Sequence, residues 1–350
     1  MFDTVLHALA TAAASLVCVP VVIRALAGSQ VLDIPNERSS HTRPVPRGGG
    51  IGMLVPWAAG MIILWAAGGL PFSGFPLALA VGVFGLAVIG FADDVHDLKP
   101  LFRLLLEGAL VAACLALSGL RVEVLSVPGF EVTLGMAGWL AAWLFVVGFT
   151  NMFNFMDGIN GIAGFQTLIG AGGLALMAAH LGDPVLALPM ALLAGGAVGF
   201  LRYNFPRASV FMGDVGSLPI GFALSMAVLR THTGGGASSG LPLWLPVLFI
   251  LPFLFDATYT LVNRALKGRN PFHAHRSHVY QRLTVSGWAH VRVTIIYAVF
   301  MVMCAAGAFA AYAWPNWGFE IFWGLFAVAL GWTVTTVTRV RAFMTDRSLS

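Results

Sequence analysis

Few charges occur in this chain, and the acids and amides that do occur are grouped at short spacings. The segment Gly90-Phe-Ala-Asp93-Asp94-Val-His-Asp97-Leu-Lys99 sets two adjacent carboxylates near a third. Carboxylates at the end of an apolar run need a cationic partner, and Mg2+ shared with phosphate oxygens is a usual one. A structural alternative answers these acids with Lys99 and Arg103, and Arg103 with Glu107 forms an i,i+4 pair able to lock a helix end. In Asn151-Met-Phe-Asn154-Phe-Met-Asp157-Gly158-Ile-Asn160-Gly161, the residues Asn151, Asn154 and Asp157 recur every three positions. They share one face of a helical turn, and such a face serves either a ligand or interhelical hydrogen bonding. In Arg202-Tyr-Asn-Phe-Pro-Arg207-Ala-Ser-Val-Phe-Met-Gly213-Asp214-Val-Gly216-Ser217, Asp214 opens an apolar run as a helix cap or as an inner-sphere metal ligand.

Two basic segments complement these acids. Residues 33–50 combine Arg38, His41, Arg43 and Arg47 with stiffening prolines and the run Gly48-Gly-Gly50. Glycines let main-chain N–H groups approach an anion closely, so His41, Arg47 and this run read as a polyanion site or as a basic loop ending in a hinge. The second segment, Asn270-Pro-Phe-His273-Ala-His275-Arg276-Ser-His278-Val-Tyr280-Gln-Arg282, holds three of the nine histidines within six residues. Zinc would need partners other than the flanking Lys267, Arg269, Arg276 and Arg282, which repel a cation. Anion recognition by imidazole and guanidinium donors suits His273, His275, Arg276 and His278 better, and a solvated basic loop is the bland alternative.

The elements that must hold these segments are read from composition. The chain has 350 residues, 58% hydrophobic and 10% charged, with a mean hydropathy of +0.86. A soluble domain averages about 45–50% apolar and about 25% charged residues, so the excess implies a bilayer. Eleven apolar runs are predicted to span it: 5–27, 51–69, 76–92, 102–119, 135–150, 159–180, 185–201, 211–229, 242–262, 292–313 and 317–338. The first lacks a basic leading region and exceeds the apolar stretch of a cleaved signal, so it is retained as a span. The expected fold is an all-α, polytopic membrane bundle forming one domain over 1–350, with the N-terminus outside and the C-terminus cytoplasmic. In that orientation only Arg121 and Arg230 of the 19 Lys and Arg face outward, as the positive-inside rule requires. The segments 28–50, 93–101, 151–158, 202–214 and 263–291 then share the cytoplasmic face of the membrane. Cys18, Cys114 and Cys304 lie far apart in apolar runs and suggest neither disulfide nor metal site.

Together these motifs, in this order, resemble the polyprenyl-phosphate N-acetylhexosamine-1-phosphate transferases, the membrane group that includes MraY and WecA. The resemblance runs from about Asp33 to Arg282. It implies transfer of an N-acetyl sugar 1-phosphate from a UDP-sugar to undecaprenyl or another polyprenyl phosphate, releasing UMP. Carried over by position, it implies that Asp93 and Asp94 are the catalytic acidic pair, with Asp93 acting on the lipid phosphate as base or organiser. It places Mg2+, replaceable by Mn2+, on Asp214 with Asn154, puts Asp157 beside the nucleotide, counts Asp157 and Asp214 among the catalytic residues, and implies a bacterial inner membrane. Arg47, Arg103, Asn151 and the histidine-rich loop would hold anionic groups. The spacing His-Ala-His-Arg-Ser-His departs from the three successive histidines of the peptidoglycan branch and suggests the branch that initiates O-antigen or related surface polysaccharides. The expected partners are the UDP-N-acetyl sugar, polyprenyl phosphate, membrane lipid and a second copy in a homodimer, with no nucleic acid. The rivals are a phospho-muramoyl-pentapeptide transferase and a transporter or flippase, the last disfavoured because no midplane charges or repeats are evident.

Overall fold

The computed structural model describes residues 2–27, 32–33, 45–235, 240–269 and 277–348. All eleven apolar runs fall on helices. In chain order these are α1 (Phe2–Ala27), α2 (Ile51–Ala66), α3 (Gly74–His96), α4 (Pro100–Ser118), α5 (Ala137–Met156), α6 (Ile162–His180), α7 (Pro184–Asn204) and α8 (Asp214–Thr233). A short α9 (Trp244–Val247) continues through one 3-10 turn into α10 (Leu251–Leu266), and α11 (Val279–Val285), α12 (His290–Ala313) and α13 (Gly318–Ser348) complete the series. Among the described residues, sheet is confined to the pairs β1 (Leu32–Asp33) with β2 (Val45–Pro46) and β3 (Val124–Val127) with β4 (Phe130–Thr133). The hairpin β3–β4 fills most of the connection between α4 and α5.

Among the described residues, nine helical segments are long and apolar enough to cross a membrane: α1, α3 to α7, α9 with α10, α12 and α13. The two other expected spans differ for physical reasons. Helix α2 has 16 residues, short for a bilayer core. Helix α8 has 20 residues, but its apolar character is diluted by Ser217, Ser225, Arg230 and glycines. It tolerates them because it meets protein rather than lipid: almost every residue from Val215 to Leu229 is buried, against α3 and α5 among others. The lipid-facing work falls to outer helices, which expose Ile62, Phe84, Leu105 and Leu140.

Small residues and polar side chains hold the bundle together, as expected where lipid supplies no hydrophobic drive between helices. Ser15 of α1 donates to the carbonyls of Gly52 and Gly196, both at 3.0 Å, tying α1 to α2 and α7. Trp57 Nε1 donates to Pro189 O at 3.0 Å. Gln166 Nε2 donates at 2.8 Å to Phe249 O, a carbonyl within the 3-10 turn that joins α9 to α10. This meets the requirement that a broken helix in an apolar setting have its freed carbonyls satisfied by neighbours. Because the helices alternate in direction, the C-terminal ends of α3, α5, α7 and α10 and the N-terminal ends of α4, α6, α8 and α12 gather at one end of the molecule.

Candidate active site

At that end, helix geometry brings the separate acidic motifs together. Helix α3 stops at Asp97, which adopts φ 50° and donates its N–H to Asp93 O. Leu98 N adds a 2.9 Å bond to Asp93 Oδ1, so Asp93 is anchored through main chain and side chain at the last turn. Its other oxygen, Oδ2, accepts a 2.6 Å bond from Arg103 Nη1. The same nitrogen donates to Asp214 Oδ2 at 2.9 Å. Two carboxylates from motifs 121 residues apart therefore converge on one guanidinium nitrogen.

Arg103 is itself held from behind. Its Nε lies 3.2 Å from Glu107 Oε1, and Glu107 is wholly buried. Glu107 Oε2 accepts a 2.6 Å bond from Asn151 Nδ2, which also donates to Val147 O at 3.1 Å. The i,i+4 pairing legible in the sequence is thus one arm of a chain running from Asn151 through Glu107 and Arg103 to Asp93 and Asp214.

Asp94 is a cap. Its two oxygens accept from Asp214 N at 3.1 Å and Val215 N at 3.0 Å, the first N–H groups of α8, where a carboxylate also meets the positive end of the helix dipole. Arg47 Nη1 stands 3.7 Å from Asp94 Oδ1. The cap depends on close approach. A Cβ on Gly90 would lie 2.2 Å from Asp214 O, and Gly213, with φ 74°, would place one 2.7 Å from Asp94 Oδ2. Asp214 follows as the first residue of α8, and the amide of Asn154 borders its carboxyl while donating to Ser217 Oγ at 2.8 Å.

The glycine run does not offer its N–H groups to a ligand. Gly48 N and Gly49 N donate to Phe211 O at 3.1 and 2.8 Å, and Gly50 N to Met212 O at 2.9 Å. Arg47 pairs with Phe211 as an isolated parallel bridge. The run docks the first loop onto the strand-like approach to α8 and thereby fixes Arg47 at the site.

The expected common face of Asn151, Asn154 and Asp157 is divided among three partners. Asn151 turns to α4, Asn154 to α8, and Asp157 leaves the helix as the C-cap of α5 with φ −82° and ψ 59°. Asp157 is half-buried near Arg47 and Asp94. Loss of hydration pushes its carboxyl up to about 7, a rise that Arg47 opposes and Asp94 reinforces.

His278, expected to bind substrate, is buried beside Asp256. It is 1% exposed, with Nδ1 3.4 Å from Asp256 Oδ1, and its ring stacks on Tyr280. Asp256, an acid the sequence leaves without a catalytic part, accepts from Val279 N and Tyr280 N at 2.9 and 3.2 Å and from Tyr297 Oη. It caps α11 as Asp94 caps α8, and His278 is buried against this anchor. Tyr280 Oη in turn donates to Phe155 O at 2.9 Å, joining the 277–285 segment to the turn bearing Asp157. His41, His273, His275 and Arg276 lie outside the described residues.

A divalent cation can be tested against this donor set. Among the described residues no group of three or more His, Cys, Asp and Glu is arranged to hold a metal ion. Mg2+ does not require one, since it is commonly bound by one or two carboxylates together with substrate phosphates. Asp93 and Asp214 already direct hard oxygens at a single cationic nitrogen, and the Asn154 side chain adjoins Asp214. These are hard-oxygen donors of the kind that would hold Mg2+ together with substrate phosphates.

Asp256, legible as an acid that orients its own helix or the adjoining loop, does hold that loop, whereas Glu107 reaching Asn151, Ser217 bonding Asn154 and Tyr280 bonding Phe155 are the contacts missing from the sequence reading. An i,i+4 signal pointed to Glu107, whereas nothing local marks the others.

Comparison with known proteins points the same way. The model of the family described as glycosyl transferase family 4 matches residues 76–232, which contain Asp93, Asp94, Asn154, Asp157 and Asp214. The chain is 31% identical over 292 residues to a Bacillus subtilis protein named probable undecaprenyl-phosphate N-acetylglucosaminyl 1-phosphate transferase, covering 81% of this chain and 78% of that one. It is 31% identical to a Mycobacterium tuberculosis decaprenyl-phosphate N-acetylglucosaminephosphotransferase, covering 78% of this chain and 74% of that one. It is 34% identical to a Moorella thermoacetica phospho-N-acetylmuramoyl-pentapeptide-transferase, covering 68% and 77% respectively.

Proposed function

The chain belongs to glycosyl transferase family 4, and we propose that it moves an N-acetyl sugar 1-phosphate from a UDP-sugar to polyprenyl phosphate at the cytoplasmic face of the membrane. One observation carries this reading: Asp93 and Asp214 converge on Arg103 at the end of a lipid-embedded bundle. That cluster, at the ends of apolar helices, supports phosphate chemistry on a lipid phosphate whose chain stays in the bilayer.

In the proposed reaction an oxygen of the polyprenyl phosphate forms a bond to the sugar-bearing phosphorus as the bond from that phosphorus to the bridging oxygen breaks, and UMP departs with the electron pair. Both reactants are anions, so the task is positioning and charge stabilisation. Mg2+ held by Asp214 with Asn154 would supply charge neutralisation at the diphosphate. Asp93 and Arg103 organise the acceptor phosphate. No base is required near pH 7, because the second pKa of a phosphate monoester, about 6, leaves it mostly ionised. Arg47, beside Asp94 and Asp157, faces the nucleotide end. Asp94 and Glu107 position Asp214 and Arg103.

For the sugar, the separated histidines of 273–278 support the surface-polysaccharide branch with an N-acetylhexosamine donor. The muramoyl-pentapeptide reading is retained because of the 34% identity to the Moorella protein of that name. A panel of UDP-GlcNAc, related UDP-N-acetyl sugars and UDP-MurNAc-pentapeptide, assayed with polyprenyl phosphate and Mg2+, separates the two. Turnover is expected with a small UDP-N-acetyl sugar. Turnover with the pentapeptide donor alone reverses the assignment, and UMP from none of them overturns the reaction.

A further inference from the structure

We propose that a groove bordered by α10, α11, α12 and α13 binds one anionic phospholipid from the leaflet on the candidate active-site side. Two adjoining cavities form it. The inner one, about 180 Å³, is apolar, lined by Phe255, Val299, Phe300, Met303 and Val328. The outer one, about 240 Å³, is bounded by Ser286, Trp288, Thr335, Thr336 and Arg339, with no acidic side chain in its wall among the described residues. Trp332 lines both, so the two share one side-chain wall. Its indole N–H is buried and meets no hydrogen-bond acceptor among the described residues. Asp256 touches the inner cavity, but its oxygens are taken up by Val279 N, Tyr280 N and Tyr297 Oη, so it opposes no acyl chain with an unanswered charge.

Dimensions and charge select the occupant. Val328 in the inner cavity and Arg339 at the mouth are eleven residues apart on α13, about 16 Å at the helical rise. That matches one leaflet's share of a hydrocarbon core about 30 Å thick. Arg339 lies at the end of the apolar run Pro315–Val340, the level of lipid headgroups. Arg292 stacks 4.0 Å over the ring of Trp288, which lines the mouth, and brings a second guanidinium there. Hydroxyls from Ser286, Thr335 and Thr336 surround the same opening. An apolar slot of leaflet depth, ending in two guanidiniums and hydroxyls without a carboxylate, suits an acyl chain bearing a phosphodiester with net negative charge. A zwitterionic headgroup would set its own cation against Arg339 and Arg292. The carboxylate cluster is assembled from other helices, so this site is separate from it.

The test uses the full-length protein, delipidated in detergent and titrated separately with phosphatidylglycerol, phosphatidylcholine of the same chains, and polyprenyl phosphate. Native mass spectrometry counts adducts while thermal unfolding is followed in parallel. One phosphatidylglycerol is expected to be retained in preference to phosphatidylcholine and to raise the unfolding temperature. Arg339→Gln should weaken that retention about fivefold, the loss expected for one basic residue near a lipid headgroup, and Arg292→Gln should act in the same direction. Equal retention of the two phospholipids overturns the proposal, as does an unchanged preference in the folded Arg339→Gln, Arg292→Gln double variant. Displacement of the bound phosphatidylglycerol by polyprenyl phosphate would also overturn it, by giving the groove to the acceptor.

Discussion

Glu107→Gln tests whether Arg103 works because it is held from behind. The wild-type carboxylate is wholly buried, with one oxygen 3.2 Å from Arg103 Nε and the other accepting at 2.6 Å from Asn151. Glutamine keeps the volume and the capacity to accept from Asn151 but removes the charge facing Nε. Arg103 is only 16% exposed, so water cannot replace the lost contact well. The Nε–Oε1 contact is an ion pair rather than a hydrogen bond, and it is taken to contribute about 1.5–3 kcal/mol, the lower part of the range for close charge pairs. If all of it serves to hold Arg103 in its reactive position, kcat/KM falls by about 10- to 150-fold. The assay is steady-state UMP release by wild type, Glu107→Gln, Arg103→Gln and the double variant, with folding checked by size-exclusion chromatography and thermal unfolding. Because Glu107 is argued to act through Arg103, its substitution should cost little once Arg103 is gone. Full, independent losses in the double variant refute the chain of contacts, and so does a Glu107→Gln enzyme with wild-type kcat/KM.

Three further outcomes are expected. Gly90→Ala puts a Cβ 2.2 Å from Asp214 O, so α3 and α8 must separate; UMP release should collapse together with a lower unfolding temperature, whereas a fully active, equally stable variant contradicts the close packing. Asp94→Ala removes the acceptor for Asp214 N and Val215 N and should destabilise by about 1 kcal/mol, the usual cost of a lost cap, measurable by reversible thermal or denaturant unfolding. Asp157 titrates at about 7 in the folded protein against about 3.9 when unfolded. Between these values the folded state binds the extra proton, so this group's contribution to stability falls as pH rises through that window and levels off above about 7. Asp157→Asn should therefore gain unfolding temperature relative to wild type between pH 5 and 8, and a constant difference across that range would contradict the assignment.

Much of the bundle could be read from composition, because each apolar run announces its own helix and the few charges mark where the runs end. The carboxylates Asp93, Asp94 and Asp214 were legible for the same reason: charge at an apolar boundary needs an explanation. Their mutual arrangement was not, since it depends on Gly90 and Gly213 allowing α3 and α8 to touch, a contact between residues far apart in sequence. Helix α8 also shows how hydropathy alone misleads, as its low apolar content reflects burial within protein. Period-three spacing placed Asn151, Asn154 and Asp157 on one face only for as long as the helix lasts. Helix α5 ends at Met156, which frees Asp157 to reach toward Arg47. The glycines at 48–50 carried two meanings in sequence, ligand cradle or hinge, and the structure gives a third, a main-chain seam onto Phe211 and Met212.

The most direct test of the central claim follows the phosphorus. Purified protein is given UDP-GlcNAc labelled in the sugar-bearing phosphate, polyprenyl phosphate and Mg2+, and the nucleotide and lipid products are identified by mass spectrometry; the donor is replaced by whichever sugar the panel favours. The account predicts UMP and polyprenyl-diphospho-sugar in equal amounts, with the label in the lipid, and loss of both products in folded Asp214→Asn and Asp93→Asn variants. Release of UDP with the label retained in the nucleotide would mean transfer of the sugar without its phosphate and would contradict the account, as would undiminished turnover in either variant.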